Sequence, residues 1–200
     1  MPLAIALLVF VVFQIIIRVW LRLRPRAIPF GWSWLLENPW RKSYRDPERV
    51  AEHCGIRPTD TVLEIGCGSG LFTRSLATRC AKLIANDLEP RYLAQARAKL
   101  SDLSHVEYLV GDARDLGLEG VADVIVLISV LPEIPEPMLA LEACKLALKS
   151  GGRIVIGEEL FEPEYVSARQ TDAWARAVGL ECVGREGNAW AYLDTFAPKT

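Results

Sequence analysis

Residues Val62 to Gly70 read VLEIGCGSG, and this stretch decides the fold. The compact apolar stretch Thr61–Ile65 predicts a short strand, and the glycines at positions 66, 68 and 70 predict a tight turn that leads into a helix. Such a turn presents backbone N–H groups to a ligand at the start of a helix. The sequence therefore predicts a strand–turn–helix unit with a binding turn, and it leaves the ligand open.

The chain after this unit alternates apolar strands with helices, which is typical of a parallel sheet covered on both faces. The helix after the turn is expected over Ser69–Cys80, and the run ADVIVLISV at Ala122–Val130 predicts a central buried strand. Near the end, Leu180–Glu186 and Ala189–Phe196 flank Gly187-Asn188, a two-residue hairpin signal. We therefore predict an α/β fold, with a Rossmann-like, mainly parallel seven-stranded sheet, helices on both faces and a C-terminal antiparallel hairpin.

The first part of the chain is strongly apolar. Residues Leu3 to Ile17 read LAIALLVFVVFQIII, and arginines follow at positions 18, 22, 24 and 26. About 20 apolar residues suffice to cross a bilayer as a helix, and arginines on the C-terminal side favour a cytoplasmic location for the following domain. A secretory signal is disfavoured, since no basic region precedes the run and no small-residue cleavage site follows it. Residues 1–26 are predicted to be a single-pass transmembrane helix with a basic flank.

Residues 27–46 mix aromatic and basic side chains, and we call this segment the collar. It holds Phe30, three tryptophans and Tyr44 among arginines and a lysine. This composition suits a contact with the membrane surface, and it also suits a lid over a pocket that opens towards the membrane. Both interpretations stay open. The third unit is the domain of residues 47–200, whose first helix has a predicted N-cap at Asp46.

Composition excludes several classes of protein. The net charge of −2 argues against a general nucleic-acid binder, whose footprint would be basic. The five cysteines contain no C-x-x-C pair, so they predict reduced and mostly buried thiols. The two histidines, His53 and His105, lie far apart in sequence, and no metal site is predicted. The sequence does not indicate an oligomeric state.

Acidic residues after the next two strands bear on the ligand of the turn. A nicotinamide dinucleotide would require the pattern G-x-G-x-x-G, but Leu71 stands where its third glycine belongs. Asp87, at the end of the second strand, can accept hydrogen bonds from the ribose of any adenosine ligand. Asp112, after the third strand, can accept from an exocyclic adenine amine, with the N–H of Ala113 near the ring. The acid at position 112 is less expected of a dehydrogenase.

With these features the chain resembles the class I S-adenosylmethionine-dependent methyltransferases. The resemblance covers Pro47 to the C-terminus and rests on VLEIGCGSG, ANDLEP, GDARDL, ADVIVLISVLPEIPEP followed by LKSGGRIVI, and the terminal hairpin. It implies S-adenosylmethionine as the cofactor, with Glu64 at its amino group, Asp87 at the ribose, and Ser129 and Leu131 beside the methyl group. The full set of cofactor-binding residues that it implies is Glu64, Gly66, Cys67, Gly68, Gly70, Asp87, Leu88, Asp112, Ala113, Ser129 and Leu131.

Methyl transfer from a sulfonium depends mainly on alignment, and a general base is needed only if the nucleophile carries a proton. Glu133, just past the fourth strand, is the first candidate base, and Tyr44 of the collar is the second. We expect a membrane-anchored methyltransferase that acts at the bilayer on a small hydrophobic or lipid-like acceptor and not on nucleic acid. Two alternatives stay open: an inactive, cofactor-binding membrane scaffold and a nicotinamide oxidoreductase.

Overall fold

The computed structural model describes residues 45–160 and 162–199, together with Ile5, Val9, Val12, Ile16, Val19 and Phe30. The continuous part alternates strands and helices as the sequence predicts. Its elements, numbered from residue 45, are α1 (Pro47–His53), β1 (Thr61–Ile65), α2 (Thr73–Ala77), β2 (Lys82–Asp87), α3 (Pro90–Lys99), β3 (Val106–Val110), β4 (Ala122–Ile128), a 3-10 turn (Leu131–Glu133), α4 (Pro137–Ala147), β5 (Leu148–Glu159), α5 (Ala168–Ala177), β6 (Leu180–Gly187) and β7 (Ala191–Pro198).

The strands form one seven-stranded sheet in the order β3-β2-β1-β4-β5-β7-β6. Strands β1 to β5 run parallel, and β7 pairs antiparallel with both β5 and β6. The predicted parallel sheet with an antiparallel hairpin at its end is therefore confirmed. The order reverses between β1 and β4, and ligands of open α/β sheets bind at the carboxyl ends of the strands beside such a reversal.

Two apolar layers cover the sheet because side chains alternate between its faces. Leu63, Ile125 and Ile154 face α4 and α5, where Leu141 is fully buried. The residues in between, such as Val124, belong to the opposite layer, which packs against α1, α2 and α3. The central strands therefore hold the carboxyl edge of the sheet in a fixed geometry.

Element boundaries differ from the prediction at the glycine turn, at the end of β4 and at the hairpin. The helix after the glycine turn begins at Thr73 and not at Ser69, because Gly70 has a φ of +91° and the turn extends past it. Strand β4 ends at Ile128, since Ser129 leaves the extended conformation with a φ of +56°. The hairpin loop is residues 188–190 and not Gly187-Asn188. The Asn188 side chain accepts hydrogen bonds from the N–H groups of residues 190 and 191, which closes the longer loop.

The predicted anchor, residues 1–26, lies outside the described residues except for five of them. These five are helical and between 45% and 63% exposed: Ile5, Val9, Val12, Ile16 and Val19. No helix within the described part of the chain is both long and apolar enough to span a membrane. Of the collar, only Phe30, Arg45 and Asp46 are described, and Asp46 caps α1 by accepting from the N–H of Glu48 at 3.0 Å.

Candidate functional site

A cavity of about 340 Å³ opens at the carboxyl ends of β1 to β4. Its volume falls in the range of about 300–1,000 Å³ that is usual for small-molecule sites. Of the residues that the sequence singles out, the lining includes eight: Gly66, Cys67, Gly68, Asp87, Leu88, Asp112, Ala113 and Ser129. The candidate base Glu133 also lines it.

The glycine turn forms the floor of this cavity, and its backbone has little room for a side chain. Gly66 has a φ of +66°, and a Cβ at this position would lie 2.5 Å from Cγ2 of Val130. Gly68 also has a positive φ, +53°, but its Cβ would enter open space. The turn therefore requires glycine at 66 for both conformation and close approach, and at 68 for conformation alone.

Asp87 ties the end of β2 to the glycine turn. Its Oδ2 accepts a hydrogen bond from the N–H of Gly68 at 2.8 Å, and its Oδ1 accepts from the N–H of Glu89 at 2.9 Å. Each carboxylate oxygen keeps a second lone pair, so the group can still accept from a pair of ribose hydroxyls. Burial raises the pKa of Asp87, although the two N–H donors act in the opposite direction.

Asp112 lies at the end of β3, where Arg114 holds it. The guanidinium of Arg114 donates to both carboxylate oxygens, with an Nη2 to Oδ2 distance of 2.7 Å, and its Nη1 lies 3.3 Å from Oε2 of Glu136. These hydrogen bonds lower the pKa of Asp112, which keeps it ionised as an acceptor. Arg114 thus links Asp112 to Glu136, 22 residues further along the chain from Arg114, a contact that sequence reasoning missed because a G-D-A-R stretch carries no local signal of it.

Three residues of the predicted set are absent from the described lining of the cavity. Glu64 is buried beneath the turn, and burial raises its pKa from 4.5 to about 7. Its Oε2 has no hydrogen-bond partner among the described residues. Gly70 faces α3, where a Cβ would lie 3.4 Å from Cβ of Ala96, and Leu131 is fully buried in the apolar core. In the structure Gly70 packs against α3, Leu131 packs within the apolar core, and Glu64 is buried outside the described lining.

Ser129 and Glu133, at and after the end of β4, also line the cavity. Ser129 follows β4, and its hydroxyl donates to Oε1 of Glu159 at 3.2 Å. Glu159, at the end of β5, is fully buried. Sequence reasoning did not single out this acid, since it lies 30 residues along the chain from Ser129 and in a different strand.

One described residue of the collar reaches the cavity wall. The ring of Phe30 lies 5.2 Å from that of Tyr92, which lines the cavity, and the guanidinium of Arg91 lies 4.7 Å from the Phe30 ring centroid. The other candidate catalytic residue, Tyr44, lies outside the described residues.

Comparisons with known proteins indicate the family of the chain. Residues 63–156 match the family model described as "Methyltransferase domain". The chain is 35% identical over 172 residues to the ubiquinone biosynthesis O-methyltransferase of Xanthomonas axonopodis pv. citri, covering 72% of this chain and 70% of that protein. It is 28% identical over 158 residues to nodulation protein S of Rhizobium tropici, covering 74% of this chain and 63% of the relative.

The fold has close counterparts among solved structures. A SAM dependent methyltransferase from Aquifex aeolicus superposes with a TM-score of 0.77 at 22% identity, covering 85% of this chain and 98% of that one. The chain spans about half to two thirds of the length of the first curated relatives it matches.

Proposed function

The chain belongs to the S-adenosylmethionine-dependent methyltransferase family, and on this premise we propose that it methylates a small, hydrophobic or lipid-like acceptor at a membrane. The observation that carries methyl transfer is the cavity in which the glycine turn, Asp87 and Asp112 meet. S-adenosylmethionine is the cofactor of this family, and the activity, the acceptor and the membrane location are parts of the proposal.

The residues of the cavity fit this cofactor. The turn at Gly66 and Gly68 leaves space where side chains would collide or strain. Asp87 offers a carboxylate for the ribose diol, and Asp112 with Ala113 offers an acceptor and a backbone edge for adenine. Glu64, buried and with an unpartnered Oε2 in the described structure, offers the negative charge that an amino group requires.

When bound, the cofactor supplies an electrophilic methyl carbon, whose bond to sulfur breaks as a bond to the acceptor atom forms, leaving a thioether and releasing the acceptor's proton. The chain's own part is alignment within a cavity that excludes water. Glu133 lines the cavity past β4 and is the proposed proton acceptor for a hydroxyl or amine substrate. The negative net charge of the chain supports a small molecule over nucleic acid as the acceptor.

The proposed membrane location rests on the apolar segment Leu3–Ile17 and the arginines after it, which orient the domain to the cytoplasmic side. Ile5, Val9, Val12 and Ile16, the described residues of this segment, are helical and exposed. Phe30 packs on Tyr92 at the cavity wall, which supports a collar that contributes to the site. An acceptor that enters from the bilayer would suit this arrangement.

The activity test combines binding and turnover in the full chain. Calorimetry should detect the binding of S-adenosylhomocysteine to the chain. With S-adenosylmethionine that carries a tritiated methyl group, the chain should transfer label to a component of a membrane lipid extract. Glu133→Gln should lower the turnover by tenfold or more while S-adenosylhomocysteine still binds. The exposed Glu142→Gln on α4 is the control. Binding without any labelled product would favour the inactive scaffold, and tight NADH binding without a response to S-adenosylhomocysteine would revive the oxidoreductase.

The location test separates an anchor from a peripheral contact. The full chain should stay in the membrane fraction after an alkaline carbonate wash, whereas the double variant Val9→Lys/Val12→Lys should be released, because two charges at the centre of a span are costly. Val183→Lys, at a similarly exposed valine of β6, should leave the fractionation unchanged. Release of the unmodified chain by carbonate would contradict the anchor. Undiminished turnover in detergent-free solution after removal of residues 1–26 would count against a membrane-resident acceptor.

A further inference from the structure

A buried ionic network contacts Ser129, a residue that lines the cavity. Arg45, only 5% exposed, donates from Nη2 to the backbone carbonyl of Tyr192 at 3.2 Å, and its Nε lies 3.7 Å from Oε1 of Glu159. The same carboxylate oxygen accepts the hydroxyl proton of Ser129 at 3.2 Å. A charged pair with almost no contact with solvent thus ends on a side chain that lines the cavity.

The strand beneath this network is shaped to admit it. Gly157 of β5 lies under the guanidinium, where a Cβ would collide with Nη2 of Arg45 and would lie 2.9 Å from Cδ1 of Ile128 and from Cδ2 of Leu193. A larger residue at this position would require the Arg45, Ile128 and Leu193 side chains to move, so glycine suits the close approach of the guanidinium to the strand.

Ser129 is held in an unusual backbone conformation. Its φ of +56° is uncommon for a residue other than glycine, and its N–H donates to the carbonyl of Gly157 at 2.8 Å. Such conformations persist where surrounding contacts enforce them, often at functional sites. Here one contact comes from the backbone of β5 and the other from the Glu159 side chain.

The direction of the hydrogen bonds restricts what Ser129 can recognise. Ser129 Oγ donates to the same Glu159 oxygen that Arg45 approaches, so the single hydroxyl proton of Ser129 is used on Glu159. The Ser129 oxygen then presents only lone pairs to the cavity. A ligand group that meets it has to be a hydrogen-bond donor.

We propose that Glu159, paired with Arg45, is a positioning residue that fixes Ser129 Oγ as an acceptor beside the methyl-transfer position, and so selects acceptors that present an O–H or N–H group there. This inference rests on the proposed function, which places the cofactor in the same cavity. The proposal predicts that the enzyme prefers hydroxyl or amine acceptors to nucleophiles that carry no O–H or N–H group.

Two cofactor analogues test the proposal without a known substrate. S-adenosylhomocysteine has nothing at the methyl position, whereas sinefungin carries an ammonium group there and thus supplies an N–H donor. Calorimetry should measure both affinities in the full-length protein and in Ser129→Ala and Glu159→Gln. We expect sinefungin affinity to fall about tenfold in Ser129→Ala and threefold or more in Glu159→Gln, while S-adenosylhomocysteine affinity changes less than twofold.

The control is Glu158→Gln, on the neighbouring position of the same strand. Glu158 is 1% exposed, and its Oε1 has no hydrogen-bond partner within residues 45–160 and 162–199. Burial raises its pKa well above the ordinary value, so the neutral amide is a close replacement. This variant should leave the ratio of the two affinities unchanged, because a merely structural disturbance of β5 would not distinguish the ligands.

The outcomes distinguish a failure of the proposed function from a failure of the positioning role of Glu159. If S-adenosylhomocysteine does not bind the unmodified chain, the proposed function fails and the inference fails with it. If it binds but both affinities fall together, or the ratio is unchanged in Ser129→Ala and Glu159→Gln, the positioning role is refuted and the cofactor site stands. Thermal unfolding identifies folded variants, and Ser129→Ala decides alone if Glu159→Gln does not fold.

Discussion

Replacing Glu64 by glutamine should change the stability of the protein in a pH-dependent way. The carboxyl is 3% exposed, and burial raises its pKa from 4.5 to about 7. Between these two pH values the unfolded chain loses this proton while the folded protein keeps it, so the free energy of unfolding falls as the pH rises. Above pH 7 both states are ionised. The raised pKa of Glu64 then lowers the free energy of unfolding by about 3 kcal/mol, because each pKa unit corresponds to about 1.4 kcal/mol.

Glutamine cannot ionise, so the Glu64→Gln variant escapes this cost. The change in the free energy of unfolding that the substitution causes should be more favourable at pH 8 than at pH 5, by about 2–3 kcal/mol. Any cost of fitting an amide into the site is the same at both pH values and cancels in the difference. Urea denaturation at the two pH values measures it, and Glu181→Gln, exposed on β6, should show no such difference.

Equal effects of Glu64→Gln on the free energy of unfolding at the two pH values would refute this reasoning.

The predicted role of Glu64 in cofactor binding is measured separately. If Glu64 accepts from the cofactor's ammonium group, S-adenosylhomocysteine should bind about tenfold or more weakly to the variant. Binding to the unmodified protein at pH 7 should release about half a proton, measured by calorimetry in two buffers of different ionisation enthalpy. Binding without proton release would remove Glu64 from the cofactor site and leave the stability argument intact.

Three further predictions test the turn and its surroundings. Asp87→Ala should weaken S-adenosylhomocysteine binding by about 1–3 kcal/mol, because the ribose acceptor is lost, and an unchanged affinity would overturn that assignment. Gly66→Ala should destabilise the protein by about 1–3 kcal/mol more than Gly68→Ala in urea denaturation, because only the first Cβ meets Val130, and equal losses would contradict the packing argument. The Cys144 thiol should resist iodoacetamide at pH 8 in the folded protein, because burial raises its pKa to about 12, and rapid labelling seen by mass spectrometry would disprove this.

Much of the fold can be predicted from local patterns. The strands of the centre are continuous apolar runs, because both faces of a parallel sheet are covered, and Pro90 begins α3 as its position at a first helical turn predicts. The boundaries that differ have local causes that the pattern does not contain. Ser129 ends β4 because contacts with β5 hold its backbone in a left-handed conformation, and the Asn188 side chain enlarges the hairpin loop.

The candidate site is only partly predictable for a related reason. Gly66, Asp87 and Asp112 follow strands whose carboxyl ends meet at one edge, so their positions in sequence indicate a shared cavity. Gly70 also follows β1, and Leu131 follows β4, but they face α3 and the core, because the direction that a residue faces after a strand depends on how the turn is closed.

The sequence by itself determined the alternation of strands and helices, the glycine turn and the acids that follow the strands, because each depends on residues close together in the chain. Only the tertiary structure decided which of these residues share the cavity and what stands behind them. Arg45 and Glu159 lie far apart in sequence, and a glycine in a buried strand gives no sign that a guanidinium lies on it. Their pairing depends on the distance between two charges excluded from water, and only the packed sheet sets that distance.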